Sequence, residues 1–134
     1  MLGKRKVRKY ALELLFGYEF NKNEEAVSYY NTAFDNFICE DDQLESVKAL
    51  FVGVCEKVKE IDELISSNLS KWKIERLSRV TLSIMRISVY EMVYAQLAPA
   101  ISINEAVELA KEYSEDGAAS YINGVLNNIV KSIK

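Results

Sequence analysis

The sequence predicts an all-α protein, a helical bundle in which three N-terminal helices pack against three or four C-terminal helices. Apolar residues recur at helical spacing along most of the chain, and no long stretch alternates as a strand would. Only one proline and five glycines stand among the 134 residues, so long helices are expected. With 49% hydrophobic residues, the chain can fill the interior of one domain.

Three helices are predicted in the N-terminal half. The first covers about residues 4–20, and an Asn-Lys-Asn break separates it from a second helix at about residues 24–39. The third is predicted over about residues 43–69, because apolar residues alternate spacings of three and four from Leu44 to Ile65 without a slip. Gly53 lies inside this helix, where it would let a neighbouring helix approach closely.

The C-terminal half follows a short basic connector at residues 70–77. A fourth helix is predicted over about residues 78–97, and Ala98 with Pro99 is expected to end it. Because it is apolar around much of its circumference, this helix is expected to be the centre of a second lobe.

Two shorter helices complete the predicted fold. Ser102 and Glu105 have the spacing of a capping box, which predicts a helix over residues 103–113. A last helix is predicted over about residues 118–132. Within it, Gly124 is expected to allow close packing, and Asn123 to satisfy a neighbouring helix or loop.

Positive charge is concentrated at the start of the chain. Five of the six residues from Lys4 to Lys9 are basic, whereas the whole protein has a net charge of −3 and the remainder −8. On a helix, the apolar stripe through Val7 and Ala11 would anchor one side and leave most of this charge facing outward, with Arg8 at the edge of the stripe. Such a polarised molecule favours an anionic partner, most often nucleic acid.

A second basic patch lies at residues 71–86. It sets five basic residues against Glu75 alone: Lys71, Lys73, Arg76, Arg79 and Arg86. Sequence preference on RNA normally needs aromatic rings that stack on unpaired bases, and the candidates are Tyr10, Phe16, Tyr18, Trp72 and Tyr121. Helical spacing favours a core position for Phe16 and Tyr18, and it leaves Tyr10 and Tyr121 undecided.

The residues available for catalysis are few. The chain has no histidine, no phosphate-binding glycine loop, no nucleophile elbow and no metal-ligand spacing, so neither an enzyme nor a cofactor is expected. Cys39 and Cys55 are expected to be buried thiols of a cytoplasmic protein, and no apolar run predicts a membrane span or an export signal. Arg86 is expected to form a structural ion pair with Glu91 or Glu105.

Several motifs of the chain are similar to those of one known family. INEAVELAK at residues 103–111 and YINGVL at residues 121–126 resemble the C-terminal signature of the NusB family of bacterial transcription antitermination factors. Trp72 and Arg76, IMR at residues 84–86 and the basic start leading into ALELLF at residues 11–16 are also similar. The resemblance spans nearly the whole chain, with no further domain.

This resemblance implies two three-helix lobes, with six to seven helices in all, covering about residues 1–70 and 71–134. It implies binding to the single-stranded boxA element of ribosomal RNA leaders and a heterodimer with the ribosomal protein NusE. That pair supports processive transcription of ribosomal RNA by RNA polymerase. By position, the implied RNA-binding residues are Lys4, Arg5, Lys6, Arg8, Lys9, Phe16, Tyr18 and Tyr121. Glu75, Arg76 and Arg79 are expected to bind the protein partner.

Three positions depart from the family pattern. Thr81 stands where an acidic residue is common, Ser120 where lysine often precedes the aromatic, and Asn127 where aspartate often follows NGVL. The missing acid bears on the interface with NusE, and the missing base bears on RNA contact from the second lobe. Neither change affects the expected fold.

Other functions remain open from the sequence. The first is a helical protein–protein adaptor that binds RNA only without specificity. The second is the RNA-binding module of a ribosomal RNA methyltransferase, although the chain is too short for a methyltransferase domain and has no cofactor-binding glycine motif. The oligomeric state is also open, and a homodimer is one alternative.

Overall fold

The computed structural model describes residues 4–18, 25–33, 41–69 and 74–133, and these residues form helices and short connections with no strand. The all-α prediction is therefore confirmed. The helices are α1 (Lys4–Tyr18), α2 (Ala26–Ala33), α3 (Asp41–Glu56), α4 (Val58–Ser67), α5 (Arg79–Val93), α6 (Pro99–Tyr113) and α7 (Ala118–Ser132), with a 3-10 helix at Ile74–Arg76. The predicted segment 34–39, together with Lys71, Trp72 and Lys73, lies outside the described residues.

The chain divides into two compact units, Met1–Glu56 and Lys57–Lys134. The first unit contains α1, α2 and α3, and the second contains the 3-10 helix and α4 to α7. The two lobes that the resemblance implies, about residues 1–70 and 71–134, stay a prediction.

Lys57 interrupts the third predicted helix. Its backbone has φ −108° and ψ 11°, so α3 ends at Glu56 and α4 begins at Val58. The prediction of one unbroken helix over residues 43–69 is wrong. The apolar pattern continues across the break because each half is buried in its own unit, Phe51 in the first and Ile61 in the second.

An aromatic cluster forms the centre of the first unit. The ring of Phe51 lies 5.7, 6.0 and 6.3 Å from the rings of Tyr18, Tyr29 and Tyr30, measured between centroids. Gly17 of α1 leaves room for the hydroxyl of Tyr29, since a Cβ at Gly17 would overlap that oxygen. Among the described residues, the other buried apolar side chains of this unit are small or branched: Ala11, Leu12, Leu14, Leu15, Val47, Leu50 and Val54.

In the second unit, α5 contributes an almost continuous run of buried residues. Its apolar members are Ile84, Met85, Ile87, Val89 and Met92. Arg86 of α5 donates Nε and Nη2 to the two carboxylate oxygens of Asp62 on α4, at 2.8 Å each. The sequence did not identify Asp62 as a partner. This bidentate pair joins α4 to α5 beside the apolar contacts.

The start of α6 differs from the prediction. The helix begins at Pro99, whose fixed φ suits the first turn, so Pro99 starts a helix here. Ser102 is buried inside α6, and its hydroxyl lies 2.7 Å from the hydroxyl of Ser88 and donates to the Ser88 carbonyl at 3.1 Å. The capping-box prediction is wrong, because Ser102 instead forms a contact between α5 and α6.

Two residues of α7 also differ from expectation. Gly124 is exposed, and a Cβ there would meet nothing within 4 Å, so the prediction of close packing is wrong within the described residues. The side-chain oxygen of Asn123 accepts a hydrogen bond from Asn127 Nδ2 at 3.3 Å, and both residues belong to α7. Asn123 therefore interacts along its own helix, in place of the neighbouring element that was expected.

Candidate nucleic-acid interface

The first turns of α1 place several cations at the surface. Lys4, Arg5 and Lys6 are exposed, and Lys9 is half-buried. These four residues are called the cationic face of α1 below. At about 100° per residue, Arg5, Lys6 and Lys9 lie on the side of α1 opposite its buried residues, whereas Lys4 is in line with the buried side and is exposed because it begins the helix. The helix therefore presents positive charge at defined positions.

Arg8 differs from these four cations. Only 5% of its surface is exposed, and its partners lie within the protein. The family resemblance groups Arg8 with the RNA-contacting residues, whereas the helical pattern places it at the edge of the apolar stripe. The structure buries it, as the stripe predicts, so Arg8 is separated from the exposed cations.

Phe16 lies on the same side of α1 as the cationic face. At about 100° per residue, its position falls within about 20° of both Arg5 and Lys9 and about 10 Å along the axis from Lys9. The side chain is 37% exposed. The prediction of a core position for Phe16 is therefore wrong, and α1 presents an aromatic ring beside its cations.

Tyr18 agrees with its predicted core position. Its ring is half-buried and lies 5.2 Å from Tyr29 and 5.7 Å from Phe51, measured between centroids. These contacts account for the aromatic side chain without a ligand. Tyr10 is half-buried as well.

The remaining candidate residues belong to the second unit. Glu75, Arg76 and Arg79 are all exposed, the first two in the 3-10 helix and the third at the start of α5. Arg76 lines a pocket of about 380 Å³ together with Tyr121 at the start of α7 and the loop that precedes it. The structure thus brings together a residue expected to bind the protein partner and one expected to bind RNA.

Glu115 is the organising residue of this pocket, which is called the Glu115 pocket below. Three hydroxyls surround its carboxylate: Oε2 accepts from Ser114 at 3.0 Å and from Ser78 at 3.4 Å, and Oε1 accepts from Thr81 at 3.3 Å. Thr81 and Ser114 also contact each other, with 2.7 Å between their hydroxyl oxygens. The loop before α7 is therefore joined to the start of α5.

This environment favours the charged form of Glu115. Its pKa is lowered from the ordinary value of 4.5, first by the backbone N–H of Glu115 itself. Burial, the second-largest effect, opposes this, and the hydroxyls of Ser114, Thr81 and Ser78 each lower the pKa by a smaller amount. Donors that bind the carboxylate lower the proton affinity in this way. Glu115 is therefore a fixed negative charge at neutral pH.

The hydroxyl of Tyr121 has a different environment. It is buried and has no hydrogen-bond partner among the described residues. Burial also raises the pKa of Tyr121 above its usual value of 10.0, because the phenolate is harder to solvate there. An unpaired buried hydroxyl is uncommon in a native structure and costs stability.

A second concavity runs between α6 and α7. Its volume is about 660 Å³, and its polar lining includes Asn104, Lys111, Ser120, Asn123 and Asn127. Two of the positions that depart from the family pattern, Ser120 and Asn127, therefore lie in one groove. No group of three or more acidic, cysteine or histidine residues in the described part of the chain is arranged to hold a metal ion.

Glu115 could not be identified from the sequence because the pocket is assembled from distant segments. Thr81 belongs to α5 and Ser78 is its N-cap, whereas Ser114 and Glu115 follow α6. A single sequence contains no local pattern that pairs them. Ser78 carried a partial signal, since it occupies the N-cap of α5 and accepts a hydrogen bond from the backbone N–H of Thr81 at 3.1 Å.

Comparison with known proteins gives a consistent result across the chain. Residues 5–131 match the NusB family. A transcription antitermination protein NusB from Clostridium perfringens strain SM101 is 43% identical over 132 residues, covering 96% of this chain and 97% of the relative.

Solved structures give the same result. The structure of NusB from T. maritima superposes with a TM-score of 0.86 at 28% identity, covering 97% of this chain and 92% of the other. A structure of the antitermination factors NusB and NusE in complex with double-stranded RNA superposes with a TM-score of 0.82 at 25% identity, covering 96% of each chain.

Within the described residues, no helix has the length and apolar character needed to cross a membrane.

Proposed function

The chain belongs to the NusB family, and we propose that it is a transcription antitermination factor that binds boxA-type single-stranded RNA of ribosomal RNA leaders together with NusE. In this role it joins an RNA polymerase antitermination complex and supports processive transcription of ribosomal RNA. The relative from Clostridium perfringens carries the antitermination name, and a structural neighbour contains NusB and NusE in complex with double-stranded RNA. The role needs no catalysis, we assign none, and it implies a cytoplasmic location.

The observation that carries the proposal is the cationic face of α1 with Phe16 beside it. Arg5 and Lys6 are exposed on the side of α1 opposite its buried residues, and Lys4 is exposed at the start of the helix. Each cation that meets a phosphate releases condensed counterions, and an exposed ring can stack on an unpaired base. We propose that this face, with Lys9, grips the RNA, and that Arg8 positions α1 from inside the unit.

The second unit supplies the proposed protein contact. Glu75, Arg76 and Arg79 form a mixed-charge surface at the 3-10 helix and the start of α5. Mixed charge suits a protein partner better than a polyanion, because electrostatic complementarity needs both signs. We propose NusE as that partner. Tyr121 is implied to bind RNA, but it lines the Glu115 pocket together with Arg76, which we assign to NusE.

The experiment that tests the proposal measures fluorescence anisotropy of labelled boxA RNA, a scrambled strand and a duplex of the same sequence, each with and without NusE. We expect the single boxA strand to bind most tightly in the heterodimer. The affinity should fall with salt, by about 0.7 in log–log slope for each phosphate contact. Equal affinity for scrambled RNA in the heterodimer would favour the adaptor function, and preferential duplex binding would overturn the single-strand assignment.

A matched pair of variants locates the stacking contact. Phe16→Ala should weaken boxA binding by about 1–3 kcal/mol if the ring stacks on one base. Tyr94→Ala is the control, because Tyr94 is also an aromatic residue with 37% exposure but lies at the end of α5. Equal losses from the two variants would remove Phe16 from the site.

Size-exclusion chromatography of the wild type, with and without RNA, shows whether the chain forms a homodimer and whether RNA binding changes the amount of that homodimer.

A further inference from the structure

Glu115 combines two properties that are rarely found together at a surface. It is exposed, yet the hydroxyls of Ser78, Thr81 and Ser114 hold its carboxylate in one place. An exposed carboxylate normally keeps its rotamer freedom, and fixing it opposes folding through lost side-chain entropy. A carboxylate fixed in advance loses less entropy when a ligand binds it.

The charge around the pocket selects the class of ligand. Its lining includes two carboxylates, Glu115 and Asp116, against the single guanidinium of Arg76. A phosphate would meet net negative charge there, whereas a lysine or arginine side chain would meet a complementary site. The pocket therefore differs in sign from the cationic face of α1.

Tyr121, a lining residue of the pocket, carries an unpaired hydrogen-bonding group. Its hydroxyl is buried and has no partner among the described residues. The volume of about 380 Å³ is enough for one long side chain.

We infer that the Glu115 carboxylate binds a lysine or arginine side chain of the NusE partner, which inserts into the Glu115 pocket. This inference rests on the proposed function and adds the residue that anchors the partner. Thr81 lacks the acidic side chain common at its position, but its Oγ1 lies 3.3 Å from Glu115 Oε1. Glu115 in the α6–α7 loop thus supplies the negative charge that is missing at Thr81 in α5.

The test measures the affinity of purified NusE for the full chain by isothermal titration calorimetry. Glu115→Gln keeps the shape of the side chain but removes its charge, and it should weaken NusE binding about tenfold, as expected for the loss of one charge-assisted hydrogen bond. Thr81→Val removes one of the holding hydroxyls and should give a smaller loss. Glu60→Gln removes the same charge from an exposed position on α4 and should leave the affinity unchanged.

A relocation variant provides the sharper test. The double change Thr81→Glu with Glu115→Gln moves the carboxylate to the neighbouring side chain, and it should recover most of the affinity lost in Glu115→Gln alone. Circular dichroism confirms that each variant remains helical. Asp116→Asn is a further control, because it also removes one negative charge from the same loop. A smaller loss of affinity in Asp116→Asn than in Glu115→Gln would show that the effect comes from a contact with Glu115 and not from the total charge of the pocket.

The outcomes are distinguishable. Wild-type affinity in Glu115→Gln, or equal losses from Glu115→Gln and Asp116→Asn, would overturn the inference while leaving NusE binding intact. A loss of affinity for RNA alone in Glu115→Gln would assign the pocket to nucleic acid and would also overturn it. Failure of the wild type to bind NusE would overturn the proposed function itself.

Discussion

The cationic face of α1 and the Glu115 pocket are built by the chain in opposite ways. Lys4, Arg5, Lys6 and Lys9 lie within six consecutive residues, and one helix displays them. The pocket joins Ser78 and Thr81 at the start of α5 to Ser114 and Glu115 beyond α6. The first surface depends on local helix geometry, and the second depends on the packing of a whole unit.

The two surfaces also differ in how rigidly they hold charge. Lys4 and Lys6 are long, exposed side chains, which suits attraction to a flexible polyanion at many similar distances. Glu115 is a short side chain held by three hydroxyls, which suits one partner in one geometry. The comparison teaches that one small protein can separate non-specific attraction from specific docking.

The largest expected effect comes from removing the exposed cations of α1. The triple change Lys4→Ala, Arg5→Ala and Lys6→Ala should weaken boxA binding by about tenfold to a hundredfold and reduce the salt slope by about 2. Fluorescence anisotropy over a salt series measures both quantities. The affinity for NusE should stay near the wild-type value, since these residues lie outside the pocket.

The control for this prediction removes positive charge elsewhere. Lys59→Ala with Lys131→Ala takes two exposed lysines from α4 and α7, and it should change RNA binding much less. An equal loss in the control would mean that net charge alone governs the affinity. In that case the contrast between a local cationic face and the rest of the surface would be wrong.

A second prediction compares one glycine of α1, the helix of the cationic face, with one glycine of α7, the helix that begins at the Glu115 pocket. Gly17→Ala in α1 places a Cβ against the hydroxyl of Tyr29, and overpacking of this kind should destabilise the protein by about 1–3 kcal/mol. Gly124→Ala in α7 adds a Cβ in open space, and it should stabilise by up to about 1 kcal/mol through helix propensity. Urea denaturation measures both free energies of unfolding.

The opposite signs make this pair informative. Destabilisation by Gly124→Ala would mean that another part of the chain packs against α7 in solution. If the variant is stabilised but binds RNA or NusE less tightly, Gly124 allows the close approach of a ligand. A neutral Gly17→Ala would mean that Tyr29 moves aside without loss, and that the aromatic cluster around Phe51 tolerates rearrangement.

Features that depend on the spacing of apolar residues could be predicted from the sequence. Features that depend on how elements of the fold pack together could not. The all-α class and the buried side of α1 follow from apolar spacing, which a single sequence contains. The break at Lys57 could not be predicted, because Val54 and Ile61 keep the same spacing although they belong to different units. Ser102 matched a capping box, yet its hydroxyl contacts Ser88 of another helix.

The candidate site shows the same limit. The motif at the start of α1 identified the cations, but spacing assigned Phe16 to the core, because a helical pattern does not reveal how wide the covered side is. Glu115 had no signal of its own, since two of the three hydroxyls that hold it, those of Ser78 and Thr81, lie at the start of α5 and are distant in the sequence. Long-range hydrogen bonds of this kind appear only once the packing of α5 against α6 is known.

The weakest of the predicted effects concerns the pKa of Glu115. Its pKa is lowered from 4.5 by its own backbone N–H and by three hydroxyls, so the charged form stabilises the loop above that value. This contribution is lost as pH falls through the lowered pKa, in a window below 4.5. Carbon-13 NMR of the side-chain carboxyl should give a midpoint below 4.5, and Ser114→Ala should raise it. A wild-type midpoint at or above 4.5 would mean that the hydroxyls do not hold the carboxylate in solution, and the pocket would then be no more preorganised than the exposed lysines of α1.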